Sequence, residues 1–325
     1  MIKARIVGTG KHLPEKVLTN KDLEQFADTS DEWIRQRTGI HQRHVAPEGV
    51  GVSEMLEPAS RQALDEAGIK PAEIDCIIVG TLSGDYMFPS TASVLQARLG
   101  ADNAACHDVN AACSGFLYSL ATANAFIQTG LYKNVLIAAG ELVSNQIVYK
   151  HRDTGVLFGD GAGAVVLRAD TGDRGVLSMY LGSDGAAGDT LIRPHGGSKS
   201  PGHGMPREES FLIQMKGQDL FKKAVVRFPE AAQKALDATG LCADDIDLFV
   251  PHQANVRIIE AAAQRMGFPM DRVFINMDRV ANTVAGSIPI ALHEAREQHR
   301  IKDNDHVLLA SFGAGLTWGS SMIRW

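Results

Sequence analysis

Ala67-Gly-Ile-Lys-Pro-Ala-Glu-Ile-Asp75 is answered, 172 residues later, by Thr239-Gly-Leu-Cys-Ala-Asp-Asp-Ile-Asp247. A second pair of stretches keeps the same offset: Asn134-Val-Leu-Ile-Ala138 and His306-Val-Leu-Leu-Ala310. Two separate matches at one spacing are hard to obtain by chance. The period is far too long for a solenoid, whose repeats run to about 20–50 residues. It points to two copies of one strand-helix unit packed as a pseudo-dimer, each a buried sheet covered by helices. The expected halves are residues 1–171 and 172–325, in an α/β fold. A site between the halves would draw residues from both.

Around the echoes the pattern alternates strand and helix. Residues 2–9 read as a strand closing on glycines. Asp22 to Ala27 reads as a short helix. Thr29-Ser-Asp-Glu32 has the form of a capping box, with Thr29 as cap, before a helix through Trp33 and Arg37. Ser53 to Gly68 and Ser90 to Leu99 read as helices. Ile74 to Thr81 and Asn134 to Gly140 are apolar runs of the kind buried on both faces of a sheet. Phe158 to Leu167 is a glycine-rich turn into a strand. Residues 184–209, rich in Gly, Pro, Ser and charge, read as a long surface excursion. The pattern then restarts, with helices at Gln218 to Thr239, Asn255 to Met266 and Ser287 to His299. Strands are expected at Ile246 to Pro251, His306 to Ser311 and Ser320 to Trp325.

The chemistry is expected at Asp108-Val-Asn-Ala-Ala-Cys-Ser-Gly-Phe116. A small-residue loop runs into Cys113, and a helical pattern follows it. A cysteine at a helix N-terminus meets unpaired N–H groups and the positive end of the macrodipole, which favour the thiolate. Small neighbours keep bulk away from the sulfur, as presentation of a nucleophile requires. The plainer reading is a buried hydrophobe, which is what most free cysteines are.

Composition narrows the field. A formal net charge of -6 argues against a basic nucleic-acid face. No apolar run reaches the length of a membrane span, and the N-terminus has no apolar core of a signal peptide. The four cysteines show no metal-ligand spacing, which fits a reducing, cytoplasmic setting.

Partners for Cys113 are expected in the second half. His252 follows a buried strand and Asn282 lies in a small-residue loop before a helix, and sites in α/β sheets form beyond the carboxyl ends of strands. Taken singly, His252 is as well read as a satisfied loop histidine and Asn282 as a helix cap. Cys, His and Asn together admit two chemistries. In a thiol hydrolase the histidine deprotonates the cysteine, but the papain-type Cys signature is absent. In a decarboxylating condensation the histidine and asparagine donate hydrogen bonds to a thioester oxygen as it becomes an enolate.

Further motifs are Asp28-Thr-Ser-Asp-Glu-Trp-Ile34, Arg37-Thr-Gly-Ile40, Phe88-Pro-Ser90, Phe158-Gly-Asp-Gly-Ala-Gly163, Pro251-His-Gln-Ala-Asn255 and Thr317-Trp-Gly319. With the Cys113 and Asn282-Thr283 stretches, they make the whole chain resemble the β-ketoacyl-acyl-carrier-protein synthase III family of condensing enzymes. The resemblance implies a thiolase-like fold, two duplicated halves layered as an α-β-α-β-α sandwich. It implies Cys113 as acyl acceptor, with His252 and Asn282 promoting malonyl decarboxylation. Thr29, Trp33, Arg37, Arg152, Phe221 and Asn255 match coenzyme A contacts. Gln253, Ala254, Asn255, Val256 and Arg257 match the carrier-protein segment, Met215 matches the acyl pocket, and Phe88 matches a residue that reaches across the dimer to line the partner's acyl pocket. The implied substrates are acyl-CoA and malonyl-acyl carrier protein, as coenzyme A and phosphopantetheine thioesters. No cofactor, metal, nucleic acid or membrane is implied, and a homodimer is. Val280-Ala281 before Asn282, and Glu141, depart from the usual pattern and bear on acyl-chain preference. Relatives with this triad make alkylquinolones or polyketides, transfer acyl groups to oxygen, or join long acyl chains. A docking patch for an acidic carrier protein is expected from Arg257, Arg265, Lys222 and Lys223.

Overall fold

The computed structural model describes residues 2–201, 204 and 213–325. The first passage of the chain runs through β1 (Lys3–His12), β2 (Val17–Thr19), α1 (Asn20–Leu23), α2 (Asp31–Thr38), β3 (Gln42–His44) and α3 (Val52–Ala67). It continues through β4 (Cys76–Gly80), α4 (Thr91–Leu99), β5 (Ala105–Val109), α5 (Gly115–Gln128), β6 (Asn134–Glu141), α6 (Arg152–Gly155) and β7 (Gly161–Asp170). The second runs through β8 (Gly175–Ser183), β9 (Leu191–Ile192), β10 (Gln214–Met215), α7 (Gly217–Thr239), β11 (Leu248–Pro251) and α8 (Val256–Arg265). It closes with α9 (Met277–Val280), α10 (Ser287–Glu297), β12 (His306–Gly313) and β13 (Thr317–Arg324).

Two sheets organise these elements. The first has the order β1-β7-β6-β4-β5, and the second β11-β12-β13-β8. In the first, β4 runs parallel to β5 and β6 while β7 is antiparallel to β1 and β6. The second repeats this, with β11 parallel to β12 and β13 antiparallel to β12 and β8. β8, β11 and β12 each begin 172 residues after β1, β4 and β6. The place of β5 is taken in the second sheet by one parallel bridge between Phe249 and Val273.

Strand alternation builds the layers, because neighbouring side chains leave a strand on opposite faces. Ile78 of β4 joins a core with Phe116, Leu117 and Leu120 of α5, Ile288 and Leu292 of α10, and Val250 and Leu309 of the second sheet. Its neighbours Ile77 and Val79 pack outward with Leu56, Ala63 and Leu64 of α3 and Leu95 of α4. Beyond the second sheet, Phe249 and Leu308 meet Phe228 and Ala232 of α7 and Ile259 of α8. The order of layers is therefore helices, sheet, the α5–α10 pair, sheet, helices. That is the α-β-α-β-α sandwich.

Local details differ from expectation. Ser30, not Thr29, caps α2: its hydroxyl accepts from the Trp33 backbone N–H at 3.1 Å. Both residues can cap, and the chain's turn into the helix decides between them. α1 begins at Asn20 and ends at Leu23, earlier than the Asp22–Ala27 span. β5 and β8 escape notice in the sequence because Ala-Cys-His-Asp-Val and the Ser/Met/Tyr-rich β8 lack a continuous apolar run. Within the expected excursion, Gly185–Thr190 forms a 3-10 turn and β9 pairs with β10. His203 and most of 202–212 lie outside the described residues.

Candidate active site

Cys113 sits in a 3-10 turn, Ala112–Ser114, that runs directly into α5. The second half locks this turn. Ser311 Oγ donates to Ser114 Oγ at 2.9 Å, and Thr317 Oγ1 to the Ala111 carbonyl at 2.9 Å. Gly313 must be glycine here, since a Cβ would lie 3.1 Å from Cys113 Sγ and 2.5 Å from its Cβ. The sulfur is buried at the meeting point of two cavities.

The first cavity, about 700 Å³, is walled by Cys113, His252 and Asn282 at its inner end. Toward solvent it is walled by Trp33, Arg37, Arg152, Phe221, Ala254, Asn255 and Arg257, with Met215 at its side. The second, about 1120 Å³, leaves Cys113 past Leu82, Leu142, Val143, Phe158, Ile213 and Val284. An arm entering by the first reaches the sulfur, and a chain carried on the sulfur has room in the second.

His252 follows β11, with its backbone N–H donating to the Ala310 carbonyl at 2.9 Å. The ring is buried, which pushes its pKa down to about 3. It is therefore neutral at any physiological pH. Nδ1 lies 2.6 Å from Ser287 Oγ, and Nε2 is buried without a partner among the described residues. Asn282 bridges to Phe158, and its backbone N–H donates to the Leu157 carbonyl at 3.0 Å. Its Oδ1 accepts the Val284 N–H at 2.9 Å. That contact assigns the amide orientation and leaves the Nδ2 hydrogens without a described protein acceptor.

The electrostatics of Cys113 differ from the expected stabilised thiolate. Burial and the nearby Glu141 push the thiol up to about 12, and the backbone N–H groups of Ala314 and Cys113 itself pull the other way. Burial dominates because the turn lies beneath the second half, which strips most of the solvation from an anion on the sulfur. Glu141 is itself buried and pushed up to about 7. Its carboxylate accepts from Thr81 Oγ1 at 3.1 Å, Ser83 Oγ at 2.5 Å and the Leu82 N–H at 3.0 Å.

At the outer end Arg152 lies over the Trp33 ring at 4.9 Å and Arg37 at 5.4 Å from its centroid. Asn255 caps α8 through the Arg257 N–H, and its Nδ2 donates to the Arg37 carbonyl at 3.0 Å. Arg257 lies over Phe221 at 5.6 Å. Arg37, Arg152, Lys222 and Arg257 make this mouth cationic.

Not every expected contact reaches the cavity. Thr29 and Val256 are not among its walls; Phe88, expected to line the acyl pocket of a second copy, is 86% exposed. Gln253, expected to meet a carrier protein, is fully buried. Its amide donates to the Pro251 and Phe274 carbonyls, because the turn after β11 needs those acceptors satisfied. Arg265 turns to the Val225 carbonyl and Glu230, and Lys223 to Asp184. Ser287 and Ala314 carry no motif of their own in the sequence. The offset of 172 places Ser287 opposite Gly115, and that correspondence is the signal the sequence holds for it.

Residues 107–185 match the family described as 3-oxoacyl-acyl-carrier-protein synthase III, and residues 236–325 match its C-terminal part. A β-ketoacyl-acyl-carrier-protein synthase III from Caldanaerobacter subterraneus subsp. tengcongensis is 49% identical over 325 residues, covering 100% of this chain and 98% of its own. The chain belongs to the 3-oxoacyl-acyl-carrier-protein synthase III family. The crystal structure of the synthase III from Aquifex aeolicus VF5 shares the fold at TM-score 0.93 and 42% identity, covering 99% of this chain and 100% of that one. A priming β-ketosynthase of a polyketide pathway is similar at TM-score 0.93 and 32% identity, covering 99% and 96%. The thiolase-like fold of these synthases is the layered sandwich described above. Among the described residues no cluster of three or more His, Cys, Asp or Glu could hold a metal, and no helix is long and apolar enough to cross a membrane.

Proposed function

We propose that this chain condenses an acyl-CoA primer with malonyl-acyl carrier protein to give a 3-oxoacyl-carrier protein, the step that initiates fatty-acid synthesis. The observation that carries the reading is that Cys113, His252 and Asn282 wall the inner end of one channel, with a second cavity behind the sulfur.

The Cys113 sulfur attacks the acyl-CoA carbonyl. The old C–S bond breaks, and the thiol proton ends on the coenzyme A sulfur. Malonyl-carrier protein then enters. Its bond to the carboxylate breaks, CO2 leaves, and the electron pair moves into the thioester as an enolate. Two neutral donors, His252 Nε2–H and Asn282 Nδ2–H, hold that oxygen. The enolate carbon attacks the acyl group, and Cys113 leaves and takes a proton from solvent. His252 serves here as donor and not as base, which its burial supports. The hydrolase reading would need the reverse.

Trp33, Arg37, Arg152, Phe221 and Asn255 are the coenzyme A contacts of this reading. Arg257, with Ala254 and Asn255, meets the carrier protein, and Met215 borders the acyl chain. The route calls on no cofactor. We assign residues 1–171 and 172–325 as the two thiolase-like halves. The four free cysteines support a reducing, cytoplasmic setting.

A homodimer completes the proposal. Strand β5 is the open edge of its sheet, and Tyr86, Met87 and Phe88 beside the second cavity are 64%, 84% and 86% exposed. An open edge next to bare apolar side chains is suited to pairing with a second copy, whose Phe88 would close the acyl cavity. Light scattering showing a monomer at micromolar concentration would argue against it.

A second reading has one observation in its favour, the equal structural likeness to a polyketide-priming ketosynthase. The deciding experiment supplies malonyl-carrier protein with a panel of acyl-CoAs and weighs the carrier-bound product. A product heavier by the acyl group and lighter by CO2 is expected. Acyl-CoA consumption with no carbon–carbon bond formed would contradict both condensing readings.

A further inference from the structure

His252 and Ser287 stand where the first half carries Gly80 and Gly115, each pair related by the offset of 172. In the first half the end of β4 and the start of α5 press together, and a Cβ on Gly80 would lie 3.0 Å from the Gly115 carbonyl carbon. In the second half the same crossing, of β11 with α10, carries an imidazole and a hydroxyl. The duplicated backbone thus places Ser287 against His252, with Nδ1 to Oγ at 2.6 Å.

We propose that Ser287 is a positioning residue that holds His252 in the tautomer with the proton on Nε2. The inference rests on the condensing role of His252. The argument is an accounting of donors. Ser287 Oγ meets two nitrogens among the described hydrogen bonds: His252 Nδ1 and the Gln253 backbone N–H at 3.3 Å. The Gln253 N–H donates, so the acceptor open to the serine's own hydrogen is Nδ1. Both side chains are buried, Ser287 at 1% and His252 at 3% exposure. With the proton on Nδ1 instead, the serine hydrogen would be buried without an acceptor, an arrangement that folded proteins avoid. Nε2 would then present a lone pair to the cavity and repel an enolate oxygen. With the proton on Nε2, every group is satisfied except the one hydrogen aimed into the cavity, where the thioester oxygen is to sit. Among the described residues no carboxylate is hydrogen-bonded to the ring, so the serine sets the tautomer without giving the histidine the basicity of a catalytic dyad.

Ser287→Ala, Ser287→Gly (the residue of the first half) and Ser287→Thr in the full-length protein test this. Three readouts are compared: acyl transfer to Cys113, malonyl-thioester decarboxylation, and the ¹⁵N signals of His252 in histidine-labelled protein. In the Ala and Gly variants decarboxylation should fall about tenfold or more relative to acylation. The Nε2 signal should move toward the unprotonated position, and Ser287→Thr should restore both. Two results would overturn the proposal: an unchanged Nε2 signal in Ala and Gly variants that fold, or equal losses in both half-reactions. A wild type that shows protonated Nε2 yet decarboxylates nothing would remove the condensing reading and leave the tautomer assignment standing.

Discussion

Ala112 and Val284, 172 residues apart, share a left-handed backbone, φ +46° and +50°, at the same place in two equivalent turns. Few non-glycine residues adopt it, and a β-branched valine least readily. The two turns have diverged in use. One presents Cys113, whose counterpart is Ala285. The other presents Asn282, whose counterpart Asn110 lines the second cavity. In the proposed reaction the first half supplies the nucleophile and the second supplies the donors.

This division of labour predicts separable half-reactions. His252→Ala and Asn282→Ala should still take an acyl group from acyl-CoA, while decarboxylation falls by roughly 10²–10³, the cost of one oxyanion donor. Rapid-quench measurement of each half-reaction distinguishes the outcomes. Failure of acylation with decarboxylation intact would favour a base role for His252.

The repeat made the architecture legible from the sequence. Buried strands announce themselves as apolar runs, and a duplicated pattern names its own layers. The proposed trio could also be picked out, because Cys113 and Asn282 lie in small-residue loops before helices and His252 follows a buried strand. What the sequence left hidden depends on burial. Cys113 reads as a helix-start thiolate, yet burial of the turn and the nearby Glu141 raise its pKa. Gln253 looked like a surface contact, and only the packed turn shows its amide spent on two carbonyls. Ser287 reads as an ordinary helix-start serine until His252 is placed beside it.

Glu141 and Cys113 should titrate against each other. Glu141 is pushed up to about 7, and its negative charge raises the cysteine. Above that pH the carboxylate is ionised and disfavours the thiolate; below it the carboxyl is neutral and the repulsion is gone. Glu141→Gln should therefore speed iodoacetamide alkylation of Cys113 by about threefold or more near pH 8, with the ratio falling toward one near pH 5.5. A pH-independent ratio would mean that Glu141 acts through the Thr81–Ser83 loop and not through its charge.

Carrier-protein docking should be electrostatic and local. The chain is acidic overall, while Arg257 and Lys222 stand free of described ion pairs at the channel mouth. Arg257→Glu should raise the Michaelis constant for malonyl-carrier protein about tenfold at low salt and weaken its salt dependence, with a smaller change for acyl-CoA. Equal losses with both substrates would assign Arg257 to the shared channel. Arg265→Glu serves as the contrast. Its side chain is turned to α7, so a much smaller effect is expected.

The account stands on Cys113 as the acyl acceptor, and intact-protein mass tests this most directly. Wild-type protein incubated with acetyl-CoA or a longer acyl-CoA should gain one acyl mass, located by peptide mapping on the segment holding Cys113. Cys113→Ala should gain none. An equal gain in Cys113→Ala, or acyl mass mapped to Cys76, Cys106 or Cys242, would contradict the account.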